Sequence, residues 1–295
     1  MIEPYCQVYT IQLGGTGPQA GTIRRLSPDG YFIQPMINRV GDAVVFWGRS
    51  RGETGFNIWC HAGALRKLTN DRAVNGHPFW SSTARQIVYF STLGVSDITD
   101  WHMAEQFHLG RAPRNLWIMD RNGQNRRQLT AGAFVDERPC ISPDGKTVVF
   151  VSNRSGHMNL WSVDVATGQL RQLFQHTGLD YRPIFSPTGD RLAFFTTNNP
   201  TGARNLCLMN WPDGALSFPV PRGVFEWVHG PYWLADGQTL LIHAYPVGKP
   251  PHCGIWRFSL PDQKLERIIL PDVGDYAHGT ADDRQTLLAY DSHDR

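Results

Sequence analysis

Residues 138–173 read RPCISPDGKTVVFVSNRSGHMNLWSVDVATGQLRQL, and this stretch decides the fold. CIS is a short first strand and Asp144-Gly145 a tight turn. TVVFVS is a run of β-branched and aromatic residues, NLWSVDV alternates, and Thr167-Gly168 turns the chain into QLRQL. Each segment has strand composition, and none has a helical period. Four short antiparallel strands in about 40 residues is the unit from which a β-propeller blade is built.

The unit repeats on both sides. QPMINRVGDAVVFWGRS with NIWCHAGALRKLT, HPFWSSTARQIVYFST with NLWIMDRNGQNRRQLT, RPIFSPTGDRLAFFTT with NLCLMNWPDG, and GPYWLADGQTLLIHAY with GIWRFSLPDQKLERI are weaker copies. With the first they make five whole blades. The two ends are complementary halves: residues 276–292 (YAHGTADDRQTLLAYDS) match the first two strands, and residues 5–27 (YCQVYTIQL, then GTIRRLS) match the last two. Joined, they make a sixth blade. Closing a propeller with both termini removes the two exposed sheet edges, which is the physical reason for such a split. A β-sandwich would not need matched ends. The expectation is therefore an all-β chain, residues 1–295 forming a single six-bladed propeller of four-stranded blades. Its one interruption is a helix-like insertion at residues 94–111.

The pattern SPDGKxxxFxSxR...LW...G...RQL resembles the TolB-like, WD40-related propeller repeat over nearly the whole chain. That resemblance implies the fold and leaves the function open, because such rings serve as binding platforms, enzyme domains and assembly scaffolds alike.

The formal net charge is +2, with both signs spread along the chain, so no basic stripe points to nucleic acid and no cationic amphipathic helix to a membrane surface. No stretch reaches membrane-spanning length, and the first residues lack a basic n-region and an apolar h-region. As written the chain reads as cytoplasmic, or periplasmic if an export signal has been removed. The five cysteines are odd in number, widely spaced and set in apolar runs, which reads as reduced core residues.

In each blade the loop leading to strand one and the loop joining strands two and three lie at one end of the ring. Gln34, His77, Arg138 and Arg182 stand just before the blade's Pro, with Glu137, Tyr181 and His229 one residue earlier, and His278 opens the corresponding strand of the last blade. These side chains converge on one funnel, the kind of place that holds a ligand. Arg138 and Arg182 also fit a structural role, anchoring the neighbouring blade by a hydrogen bond to a backbone carbonyl. In the insertion, Asp97, Thr99 or Asp100 could cap a short helix, with His102 and Gln106 on one face. It reads equally as a lid or a solvated decoration.

The histidines show no HxH or HxxxH ligand spacing. There is no GxSxG nucleophile elbow and no Gly-rich phosphate loop.

TGARNLCLMNWPDG, VHGPYWLADGQTLLIHAY and AHGTADDRQTLLAYDSHD resemble oligogalacturonate lyases, propeller enzymes that cleave uronic-acid oligomers by β-elimination with a divalent metal such as manganese or calcium. The resemblance implies Arg204 neutralising the substrate carboxylate, His229 as the base and His278 as a metal ligand. That family's seventh blade, with its QxxHxH run, has no counterpart before Arg295. Two readings of the funnel follow. One is a recognition module for a small polar or saccharide ligand or a protein partner, the latter including an assembly scaffold. The other is a metal-dependent lyase.

Overall fold

The computed structural model describes residues 5–14, 17–18, 24–96, 112–198, 204–212, 214–221, 224–247, 254–268 and 286–293. It is an all-β propeller of four-stranded antiparallel blades, five of them complete among the described residues. Their inner strands are Gly30–Ile37, Asn75–Trp80, Asp136–Ile141, Asp180–Phe185 and Phe225–Trp233. We number the blades one to five in that order.

The quoted stretch folds as its pattern implies. Asp136–Ile141, Thr147–Ser152, Asn159–Asp164 and Leu170–Gln172 pair in sequence order. The first turn is held by side chains as well as backbone: Ser142 Oγ donates to Asp144 at 2.5 Å, and the amide of Thr147 donates to Ser142 Oγ at 3.0 Å. Gly145 takes φ +75°, a conformation that costs glycine little. In blade four Ser186 and Gly189 repeat the arrangement, with the Arg191 amide 3.0 Å from Ser186 Oγ.

Between blades the apolar faces interdigitate. Phe46, Ile58, Phe90, Phe150, Phe194 and Phe258 are all essentially inaccessible to solvent. Cys60, Cys140 and Cys207 are free thiols within this core, as expected, and burial pushes the Cys60 thiol up to about 11. The side chains of Cys6 and Cys253 lie outside the described residues.

The chain ends meet. Tyr5–Gly14 runs antiparallel to Thr286–His293 over eight residue pairs, Val8 opposite Tyr290 and Ile11 opposite Leu287. The same strand pairs Arg24–Arg25. Its bonds reproduce those of third strands elsewhere. Val8 donates its amide to Ser27 Oγ at 3.0 Å, as Ile58 does to Thr69 and Leu116 to Thr130, each at 2.9 Å. Leu26 donates back to the carbonyl of Val8, as Leu68 does to Ile58 and Leu129 to Leu116, all at 2.8 Å. Two residues ahead of each of these positions a parallel bridge reaches the next inner strand: Cys6 to Tyr31, Phe56 to Val74, Arg114 to Val135. The repeated R-x-L-[ST] ending is therefore a hydrogen-bonding device that locks strand four onto strand three. The expected inner strand at 276–285 lies outside the described residues, as do residues 97–111 of the insertion.

Val8 is fully buried and packs with Phe32, Val44, Phe46 and Trp59 of blade one. Deleting residues 1–12 removes a strand that pairs on both sides, together with this packing, and is expected to cost roughly 3 kcal/mol or more. Differential scanning calorimetry should show a melting point lower by about 6 °C or more, and light scattering should show aggregation. A monomeric deletion variant with unchanged melting would contradict the closure.

Candidate functional site

Each of the five described inner strands carries a β-bulge, at the X-Pro dipeptide in blades one to four and one residue ahead of it in blade five. The register shifts between Ile33 and Met36, Gly76 and Phe79, Glu137 and Cys140, Tyr181 and Ile184, and Val228 and Gly230. Proline has no amide to give the ladder, so a bulge is where a strand tolerates it. The residue before each proline adopts a positive φ: Gln34 51°, His77 50°, Arg138 52°, Arg182 50°, and Gly230 153°. Four non-glycine residues in this sparsely populated region are held there by the ring around them. The bulges lie within the strands, so Gln34, His77, Arg138 and Arg182 line the central channel, where with their prolines they border a space of about 490 Å³ that is open to solvent.

The channel wall is uneven. On the side of blades one and two, Gln34 Oε1 accepts from the Trp47 indole at 2.8 Å. The His77 ring sits edge-on to Trp47 and Phe90, centroids 5.7 and 4.9 Å away. His77 is thus part of an aromatic cluster joining two blades.

The side of blades three and four is cationic. Glu137 is buried between two guanidiniums, receiving a short hydrogen bond from Arg114 Nη2 and one of 3.2 Å from Arg138 Nε. Burial alone would raise the Glu137 carboxyl, but the charges of Arg114 and Arg138 outweigh it and hold it at about 2. Arg138 then lies over the ring of Tyr181, 3.8 Å from its centroid. Arg182 and Arg204 approach the same ring at 5.9 and 5.6 Å. Three guanidiniums around one tyrosine is a cation–π arrangement, and desolvation depresses both Arg138 and Arg204. Arg138 feels Arg182 as a further depressing charge, and Arg204 feels Arg138.

Arg138 and Arg182 do link neighbouring blades, through side chains: Arg138 through Tyr181, and Arg182 by a hydrogen bond of 3.4 Å to the Tyr232 hydroxyl. Gly230 makes room for this. A Cβ there would stand 2.8 Å from Cδ of Arg182, so blade five has glycine where other blades carry a side chain.

Of the sequence-selected residues, the structure brings Glu137, Arg138, Tyr181, Arg182 and Arg204 into one cluster and sets Gln34 and His77 on the opposite wall. His102 and His278 lie outside the described residues. His229 lies on the inner strand of blade five beside Gly230, and its side chain is not among those described. Arg114 and Tyr232 were not singled out from sequence. The signal for Arg114 is the shared R-N-L before strand three: Arg114 and Arg204 occupy the position held by Phe56 in blade one and Met158 in blade three.

A divalent metal finds no fit in this cluster. Guanidiniums carry no lone pair to donate, and among the described residues no group of three His, Cys, Asp or Glu side chains could hold a metal ion.

Residues 107–214 match the family model described as the TolB beta propeller domain. No curated protein matches the chain. Among solved structures, a putative TolB from Agrobacterium tumefaciens is similar with a TM-score of 0.75 at 12% identity, over 99% of this chain and 100% of that one. TolB from Acinetobacter baumannii gives 0.68 at 14%, over 90% and 63%. An oligogalacturonate lyase in complex with manganese gives 0.57 at 19%, over 93% and 76%. The fold is that of a β-propeller similar to TolB, and these identities establish the fold alone. No helix among the described residues is long and apolar enough to cross a membrane.

Removing the buried charge of Glu137 strands two guanidiniums, so Glu137→Gln is expected to cost about 3–5 kcal/mol. The pH dependence has a definite sign. A carboxyl depressed in the folded state contributes stability above its unfolded pKa, and that contribution disappears as pH falls through the folded value. Urea unfolding of the parent protein should therefore weaken between about pH 5 and pH 2, with a shallower loss in the variant. Equal slopes would contradict the role assigned to Glu137.

Proposed function

We propose that the chain is a six-bladed recognition propeller that seats a small polar ligand in its central channel, against the guanidiniums that surround Tyr181. The sixth blade rests on the terminal strands, whose hydrogen bonds repeat those of strands three and four in blades one and two. Residues 276–285 would supply its inner strand. The observation that carries the function is the set of inward-turned bulges, which places polar side chains from four blades around one cavity. Backbone strain of this kind persists where the surroundings over-determine it, and it gathers at ligand sites.

The lyase reading draws support from Arg204, which does reach the cluster, and from the position of His229 beside Gly230. It requires ligands for a metal beyond those the cluster offers.

Calorimetric titration with a panel of neutral and acidic saccharides should reveal a binder whose affinity falls about tenfold or more in Arg182→Gln, the loss expected for a charge-assisted hydrogen bond. Incubation with oligogalacturonate and manganese should give no ultraviolet-absorbing unsaturated product. Appearance of that product, abolished by Arg204→Gln, would replace recognition with catalysis.

A further inference from the structure

The channel has a second compartment. Beyond the bulges, towards the turns that join strands one and two, a space of about 780 Å³, open to solvent, lies between the same blades. Met36, Phe79, Ile184 and Tyr232 line both compartments, so they form a collar through which the two are continuous. Ile141 and Phe185 extend the apolar wall. The indoles of Trp80 and Trp233 are held in place by backbone carbonyls, Trp80 to Met36 at 3.2 Å and Trp233 to Ile184 at 3.3 Å, which keeps their polar edges satisfied. At the far mouth Arg39 of blade one reaches blade four and donates to the carbonyl of Pro187 at 3.2 Å. Both residues line the cavity, so this bond straps its outer opening.

One channel therefore joins a cationic wall to an apolar collar. At the cationic end, Arg138 Nη1 is buried and has no hydrogen-bond partner among the described residues. Such a donor is costly to leave unmade. Arg138 and Arg182 both line this end of the channel, so an acceptor bearing negative charge is the complement. Inside the collar, water gains few polar partners and an apolar group is the complement.

We propose that the ligand is an amphiphilic carboxylate, with its charged head on Arg138 and Arg182 and its apolar tail through the Met36–Phe79–Ile184–Tyr232 collar towards the Arg39 strap. This rests on the reading of the channel as the recognition site and specifies what enters it. From the bulge at Gln34 to the strand end at Ile37 is three residues, about 10 Å of strand. A straight chain of about eight carbons matches that depth.

The test uses three probes on the purified full chain: octanoate, octan-1-ol as tail without charge, and acetate as charge without tail. Titration calorimetry should show octanoate binding at least tenfold more tightly than either control. Arg182→Gln should weaken octanoate about tenfold and leave octanol unaffected, and Met36→Gln should weaken octanoate but not acetate. Thermal melting checks that each variant folds, with Arg138→Gln replacing Arg182→Gln if it does not. Octanol binding as well as octanoate would overturn the charged head, and acetate binding as well as octanoate would overturn the tail. If galacturonate binds in an arginine-dependent way and octanoate does not, the amphiphile falls while recognition in the channel stands. If neither octanoate nor any saccharide binds, both fall.

Discussion

The antiparallel ladder between Tyr5–Gly14 and Thr286–His293 ties the two ends of the chain together, and the centre of the molecule depends on that tie. Arg138, Arg182 and Arg204 carry like charges around one tyrosine ring. In an open stack of sheets, repulsion would be relieved by blades three and four moving apart. In a closed ring such movement has to break hydrogen bonds elsewhere. Closure would thus convert a local repulsion into preorganisation, so that the anion proposed above would meet donors already in place.

The inner-strand bulge is the second device, and it acts through geometry rather than charge. An ordinary strand would alternate side chains between the two faces of its blade. The extra residue at the X-Pro turns one side chain towards the axis in each of blades one to four. Blade five shows how specific this is: Gly230 stands at the bulge because the stem of Arg182 already fills the space a Cβ would need. The wall is consequently built by neighbours in turn. Gln34 and His77 are taken up by Trp47, while Arg138 and Arg182 each lean on the blade that follows.

The fold was legible because its signals are local. Ser142, Asp144 and Gly145 bond within one turn, and the strand runs between such turns have unmistakable composition. The pairing of the ends was legible because RRLS at 24–27 repeats RKLT and RQLT, whose threonines cap strand three in blades one and two. The site was only partly so. Sequence aligned the residues before each proline, but a residue in that position ordinarily favours extended backbone, so the positive φ that points it inward could not be read. Arg204 was reached through a family resemblance. Arg114 was missed although it shares the R-N-L of Arg204, because its role depends on a partner, Glu137, 23 residues away in the next blade. Tyr232 was missed because hydrophobic patterning alone assigns an aromatic on an inner strand to the core.

A ring closed by the terminal strands is what the channel and its wall require. Hydrogen–deuterium exchange followed by mass spectrometry reads that directly, since an amide in a closed ladder exchanges only when the ladder opens. The amides of Tyr5–Gly14 and Thr286–His293 should be protected to the same degree as those of Thr147–Ser152 in the heart of blade three. Exchange of both terminal segments within seconds, with Thr147–Ser152 still protected, would show an open ring and contradict it.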